Sequence, residues 1–246
     1  IVEAAPQIGG QFRLAGLQPR RGQIIDLLAW YERQFTRLGV TLRLNSFLDA
    51  DDIAAHSASD VIVATGSLPD PDARQRWLPG APRLPGLENG NVWSAEDVMR
   101  REARLGDAVI LYDEGGNWRG VGTAWAVAEQ GKQVILVTPD AFVGKEIART
   151  SADGPARQRL ARLGARLMTE HILTRWHGNG ATLRSVLTGE EITLPASALV
   201  MATTNIAFDP FPETIVGKTL HRIGDCAAPR QAPYAFHEGR KAALAL

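Results

Sequence analysis

Short apolar runs alternate along this chain with stretches whose apolar residues recur at helical spacing, and that alternation predicts an α/β fold. Between Arg21 and Leu38 the apolar positions are Ile24, Leu27, Leu28, Tyr31, Phe35 and Leu38, one face of an amphipathic helix that Gly39 would end. Residues 40–44 and 60–64 read as short buried strands. Residues 68–91 are dense in proline and glycine and are expected to be a linker or crossover between domains. A second unit then opens with a strand over 108–112, a glycine-rich turn, a helix over 120–130 stopped by Gly131, and a strand over 133–137. That order is a βαβ unit, which implies a parallel sheet with a right-handed crossover. A helix over 155–163, strands over 166–173, 182–187 and 191–194 forming a small antiparallel element, and a strand over 199–202 follow. An irregular return over 205–217, the triplet Ile223-Gly224-Asp225 and a terminal helix over 233–246 close the chain.

One strand signature occurs twice. Val61-Ile62-Val63-Ala64-Thr65-Gly66 is matched by Leu199-Val200-Met201-Ala202-Thr203-Thr204, with threonine in place of the glycine. Strand-Ala-Thr-Gly together with strand-Gly-Asp suggests two dinucleotide-binding modules of which one still works. The turn 115–120 supports this. In the G-x-G-x-x-G pattern the middle glycine lets the backbone approach a pyrophosphate. Gly115 and Gly120 hold the outer positions, but Asn117 stands in the middle one. Asp113 and Glu114 place two carboxylates just before the turn, which disfavours a polyanion at a helix N-terminus. Thr138 stands where a ribose-binding carboxylate is expected. A domain without ligand is therefore favoured over an NAD(P) site, with Trp118 a candidate plug for the vacant space. In the first module, Glu3 lies at a strand end where a ribose-binding carboxylate belongs, and Gly9-Gly10-Gln11 follows at a spacing that brings backbone close to a phosphate. Gly66 closes the first signature, and Gly224-Asp225 resembles the pair whose aspartate, in flavin enzymes of this shape, accepts hydrogen bonds from the flavin's ribityl or phosphate region.

Composition narrows the function classes. The 246 residues suit two modest domains. With 45% hydrophobic residues, 22% charged residues and zero formal net charge, nothing favours a nucleic-acid or membrane partner. The single cysteine, Cys226, excludes a disulfide framework or a cysteine-ligated cluster within these residues and is expected to pack beside the nucleotide. The five histidines are scattered without metal-ligand spacing, so no metal site and no catalytic residue are assigned. No apolar run reaches the roughly 20 residues of a membrane helix, and the chain is expected to be cytoplasmic.

Glu3…Gly9-Gly10-Gln11, Trp30-Tyr31-Glu32-Arg33-Gln34, Leu38-Gly39-Val40, Ala64-Thr65-Gly66 and Ser94-Ala95-Glu96-Asp97-Val98 together resemble the C-terminal half of the trimethylamine dehydrogenase and 2,4-dienoyl-CoA reductase family of old yellow enzyme-like flavin oxidoreductases. The stretch 223–230 and His237-Glu238-Gly239-Arg240 carry the match to the last residues. The altered turn at 115–120 makes the chain more similar to the N-methyl amine dehydrogenase and demethylase branch than to the NADPH-dependent reductases. The resemblance implies FAD or ADP in the first module, held by Glu3, Gly9, Gly10, Gln11, Gly66 and Asp225. It also implies an upstream FMN barrel and [4Fe–4S] cluster that carry catalysis, with none of their ligands in this chain. An amine substrate, an electron-transfer partner and a homo-oligomer are the expected associations. An NAD(P)H-dependent enoate or dienoyl reductase, and a non-catalytic ADP-binding module that docks an electron carrier, are the alternatives.

The expected architecture is α/β, with two Rossmann-like three-layer units. One is discontinuous, 1–88 with 219–246, and the other, 89–218, is inserted and degenerate. Ile1-Val2-Glu3 reads as a strand end, so the first unit is expected to lack an N-terminal strand, glycine-rich turn and helix of about 30 residues. On that expectation these residues belong to a longer protein and bind FAD or ADP poorly by themselves.

Overall fold

A computed structural model describes all residues, 1–246. The first half of the chain contains α1 (Gly10–Gly16), α2 (Gln23–Arg37), α3 (Ala50–Ala55), β1 (Asp60–Val63), β2 (Ser67–Leu68), β3 (Val92–Ser94), α4 (Ala95–Arg100), β4 (Ala108–Asp113) and α5 (Trp118–Glu129). After these come β5 (Gln133–Val137), α6 (Asp153–Arg162), β6 (Arg166–Met168), β7 (His171–Trp176), β8 (Gly180–Ser185), β9 (Glu191–Pro195), β10 (Ala198–Ala202), β11 (Ile206–Ala207), β12 (Thr219–Arg222) and α7 (Ala232–Ala245). The chain divides into two compact units, one of Ile1–Arg13, Gln23–Leu68 and Asn205–Leu246, the other of Leu14–Gly22 and Pro69–Thr204.

The second unit is a three-layer α/β structure. Its parallel sheet runs in the order β3-β10-β4-β5-β6. On one face Leu111, Leu136 and Val200 pack with Val98 of α4, Val121, Ala124 and Val127 of α5, and Leu160 of α6. On the other, Ile110, Tyr112, Val137 and Leu199 meet Leu173, Trp176 and Leu183 of the antiparallel sheet β7-β8-β9. Burial on both faces is why β4 and β10 read as unbroken apolar runs. All five residues of β10 are buried.

The proline-rich stretch after Leu68 is not a free linker, because it builds part of this second core. Ala73 and Leu84 are buried, Gln75 donates from Nε2 to Leu173 O at 2.9 Å, and Trp176 donates from its backbone N to Pro85 O at 2.9 Å. At Gly86, φ +88°, a Cβ would lie 1.8 Å from Trp176 O, so only glycine permits this approach. For that reason the unit begins at Pro69 instead of 89, while residues 205–218 lie with the first unit. The expected strand over 166–173 is two strands. Glu170 sits at φ +57° and turns the chain from β6, in the parallel sheet, to β7, in the antiparallel one.

The first unit is less regular. α2 buries Ile24 and Leu28, matching the expected amphipathic helix. β1 pairs in parallel with β12 through Asp60–Thr219 to Val63–Arg222, which ties the chain's last segment to residues 60–63. The return over 205–217 is not wholly irregular, since Ile206 and Ala207 pair antiparallel with Leu68 and Ser67. Residues 40–44 are not a buried strand: only a single parallel bridge, Val2 to Arg43, forms there, and Val40 is exposed. The other edge of β1 pairs with no strand, and Ile62 on it is exposed. α7 packs on the 224–226 turn and sets Phe236 edge-on to Phe12, with ring centroids 5.5 Å apart.

Candidate functional site

Three segments far apart in sequence meet in the first unit. β1 runs out into Ala64-Thr65-Gly66, where Gly66 takes φ +82° and accepts a hydrogen bond from Phe208 N. That turn delivers Ser67, which is buried. Gln11, at the start of α1, donates from Nε2 to Ser67 Oγ at 2.8 Å and to Ser67 O at 2.7 Å. The Ser67 hydroxyl in turn donates to Asp225 Oδ2 at 3.0 Å. Asn205 donates from Nδ2 to Gln11 Oε1 at 3.2 Å. Each donor therefore has a matching acceptor, the condition for holding such a polar network in one geometry.

The Gly-Asp turn is held from α7. Gly224, at φ +66°, donates from N to Glu238 Oε2 at 2.7 Å, and Glu238 also pairs with Arg230. The Gly224 N–H, followed by Arg230, lowers the Glu238 carboxyl below its ordinary range. Asp225 Oδ1 accepts from Arg230 N at 3.0 Å. Cys226 is buried, with Sγ 3.1 Å from both Val63 O and Ile223 O, so it locks the end of β1 to this turn.

Of the six residues singled out in the sequence, Gln11, Gly66 and Asp225 converge on this network. Gly9 and Gly10 lie immediately before Gln11. A Cβ on Gly9, φ +108°, would meet Leu28 Cδ1 at 2.6 Å, whereas Gly10 and Gly66 face open space where a Cβ would stand. Such bare backbone fits the close approach of a phosphate. Glu3 is not hydrogen-bonded into the network: its Oε1 accepts from Ala5 N at 2.9 Å and its N donates to Arg43 O at 2.8 Å. Sequence reading missed Ser67 and Asn205 and gave no role to Glu238. For Glu238 a signal existed, its place in the His237-Glu238-Gly239-Arg240 stretch that carries the resemblance. Ser67 could have been suspected only from its place after Gly66.

In the second unit the glycine-rich turn is closed. Asn117, read in the sequence as an obstruction, is the N-cap of α5, its Oδ1 accepting from Arg119 N at 2.9 Å. Asp113 and Glu114 are buried. Arg119 forms a two-pronged pair with Glu96, Nε to Oε1 at 2.6 Å and Nη2 to Oε2 at 2.8 Å, and also donates to Thr203 O. Trp118 lies beneath the Arg21 guanidinium, 4.7 Å from its ring centroid, and its carbonyl accepts from Gln18 Nε2 at 2.8 Å. A cavity beside Ser94, Arg119 and Thr203 measures about 140 Å³, below the ~300–1,000 Å³ usual for small-molecule sites. No three His, Cys, Asp or Glu side chains come together as metal ligands. No helix is long and apolar enough to cross a membrane.

A parallel α/β core with these turns defines a Rossmann-like unit of flavoprotein type, and the comparisons agree. No family model matches the chain. A probable N-methylproline demethylase of Rhizobium meliloti is 34% identical over 149 residues, 60% of this chain and 20% of that protein. An N,N-dimethylglycine/sarcosine dehydrogenase of Chromohalobacter salexigens is 28% identical over 97% of this chain and 39% of its own length. The solved structure of 6-hydroxypseudooxynicotine amine oxidase from Pseudomonas geniculata N1 superposes with a TM-score of 0.89 at 25% identity, covering 98% of this chain and 37% of that one. The chain thus spans at most about two-fifths of these three proteins. These relatives and structural neighbours fit the resemblance to the trimethylamine dehydrogenase and 2,4-dienoyl-CoA reductase family, on the side of the amine dehydrogenases and demethylases.

Proposed function

We propose that this chain is the nucleotide-binding portion of a flavin-dependent oxidoreductase that acts on N-methylated amines or related small molecules. On this reading the first unit takes the adenine part of FAD, or ADP. Catalysis, with FMN and a [4Fe–4S] cluster, resides elsewhere in the polypeptide, and electrons leave to a carrier protein. The second unit is structural and takes no nicotinamide nucleotide. Support for the placement of catalysis comes from the relatives, which are oxidoreductases more than twice as long as the matched region. The observation that carries the reading is the network of Gln11, Ser67 and Asp225 beside the bare backbone of Gly10 and Gly66.

In that arrangement Asp225 accepts hydrogen bonds from the nucleotide's sugar hydroxyls through lone pairs left on its carboxyl, Gln11 holds Ser67 and through it that carboxyl in place, and Gly10 and Gly66 leave room for the phosphates. Glu3, with one oxygen engaged by Ala5 N, offers the other to a ribose hydroxyl. The open edge of β1 is the place where a further strand of the polypeptide would complete the sheet and its phosphate cradle. The bound flavin would supply the electron-accepting chemistry.

Removing these groups should weaken nucleotide binding without unfolding the second unit. We expect Asp225→Ala and Gln11→Ala each to lower ADP affinity at least about tenfold, the first by removing a charge-assisted hydrogen bond to the nucleotide and the second by releasing the Ser67 hydroxyl that holds the Asp225 carboxyl. Equilibrium titration, with unfolding curves of the same variants, checks this. Unchanged affinity in both variants would reject the assignment.

A further inference from the structure

In a working nucleotide-binding turn the N–H groups between strand and helix point at a phosphate. Here they point at a side chain of the same turn. Gly115 N and Gly116 N donate to Asp113 Oδ1 at 2.9 and 3.0 Å. The carboxyl is 1% exposed, and its Oδ2 has no hydrogen-bond partner. A Cβ on Gly120 would lie 2.2 Å from Asp113 Cγ and within 2.4–2.5 Å of both its oxygens. The glycine that in a working turn lets the helix pack closely on the strand therefore makes room here for this carboxyl.

The outer side of the turn is covered as well. Glu146 N donates to Gly116 O at 2.9 Å, and a Cβ on Gly116 would lie 2.8 Å from Lys145 Cγ. Lys145 is itself fixed by Asp140, Nζ to Oδ1 at 2.6 Å. The segment after β5 thus lies across the turn, and the Asn117 side chain takes the N–H of Arg119 in the first turn of α5. A dinucleotide would have to displace both the carboxyl and this covering segment.

We propose that Asp113 is a built-in ligand of the glycine-rich turn, its carboxyl standing where a phosphate group sits in a working dinucleotide fold, so that replacing it with glycine opens the turn to phosphate anions. The proposal rests on the reading that the second unit binds no nicotinamide nucleotide. It explains why a unit with Gly115, Gly116 and Gly120 in place is nevertheless closed: the N–H groups of Gly115, Gly116 and Arg119 are already satisfied by the chain itself. The charged groups around the carboxyl are Arg119 of α5, Glu114 beside it, and Asp140 with Lys145 on the covering segment. Arg119 would then face the incoming anion.

The test uses wild type, D113G and the isosteric D113N, each melted at pH 8 in rising inorganic phosphate with ionic strength held constant by chloride. We expect the melting temperature of D113G to rise saturably with phosphate, with an affinity at least about tenfold above any shown by wild type or D113N. A D113G melting temperature that ignores phosphate would overturn the proposal. Should D113G fail to fold, the amide resonances of Gly115 and Gly116 in wild type decide. They should move together with pH through one midpoint above the ordinary carboxylate range and stay still when phosphate is added. Absence of a shared titration refutes the proposal. NADPH binding to these amides in wild type would remove both the proposal and the reading beneath it. A D113G insensitive to phosphate, beside a wild type that ignores NADPH, removes the proposal alone.

Discussion

Replacing Glu96 by alanine is expected to cost the second unit about 3 kcal/mol of stability, read as a lower urea midpoint with an unchanged slope. Glu96 is 5% exposed at its side chain and Arg119 25%, so the pair is largely withdrawn from water. The pair joins α4 to the first turn of α5, and Arg119 carries it on to Thr203 O beyond β10. Without the carboxylate, the guanidinium keeps the Thr203 carbonyl but loses its charge partner. Breaking a buried pair from one side costs about 3–5 kcal/mol because the surviving charge is left uncompensated. The partial exposure of Arg119 lets some water return, which sets the lower end. Glu96→Gln keeps the shape and one acceptor, and should cost less than alanine. A loss below about 1 kcal/mol in Glu96→Ala would place this pair among ordinary surface bridges.

Asp113 should make the second unit less stable as pH rises toward neutrality. Burial pushes its carboxyl up to about 7, against the opposing pull of the Gly116 and Gly115 N–H groups and of Arg119. In the unfolded chain the same group titrates near its ordinary 3.8. Between these values the folded protein holds the proton and the unfolded chain does not. Stability from this group is therefore complete below the unfolded value and is lost as pH climbs through the folded one. The full loss is on the order of 4 kcal/mol as an upper bound. Glu114, also raised by burial, acts in the same direction. Denaturant unfolding of the wild type at pH 5 and pH 8 should show the drop, and D113N, which has nothing to titrate there, should flatten it. A wild-type slope that survives unchanged in D113N would assign the effect to other groups.

Much of the second unit was legible because its residues obey simple periods. The αβ alternation over 108–137 gave β4, α5 and β5 within two residues of their ends. Other features left no local signal. Glu170 turns the chain at φ +57° without being glycine, so β6 and β7 read as one strand. The run over 40–44 is apolar enough for a strand, yet only Arg43 finds a bridge. The segment after Leu68 reads as a linker by its prolines, although Leu84 and Pro85 are fitted against the Trp176 region, far along the chain. Asn117 carried two meanings, an obstruction to phosphate and a helix cap, and the backbone geometry selects the cap. The first unit's network was half legible. Gln11 and Asp225 stand in recognisable surroundings, but the Ser67 hydroxyl that joins them is 56 residues from one and 158 from the other. Long-range partners of this kind depend on the path of the whole chain.

The most direct test of the two-unit account is calorimetry on the protein, titrated separately with ADP and with NADPH, in wild type and in Asp225→Ala. The account predicts saturable ADP binding that weakens at least about tenfold in Asp225→Ala, and no heat of binding from NADPH in either protein. NADPH binding that persists in Asp225→Ala, together with ADP binding indifferent to that substitution, would contradict it.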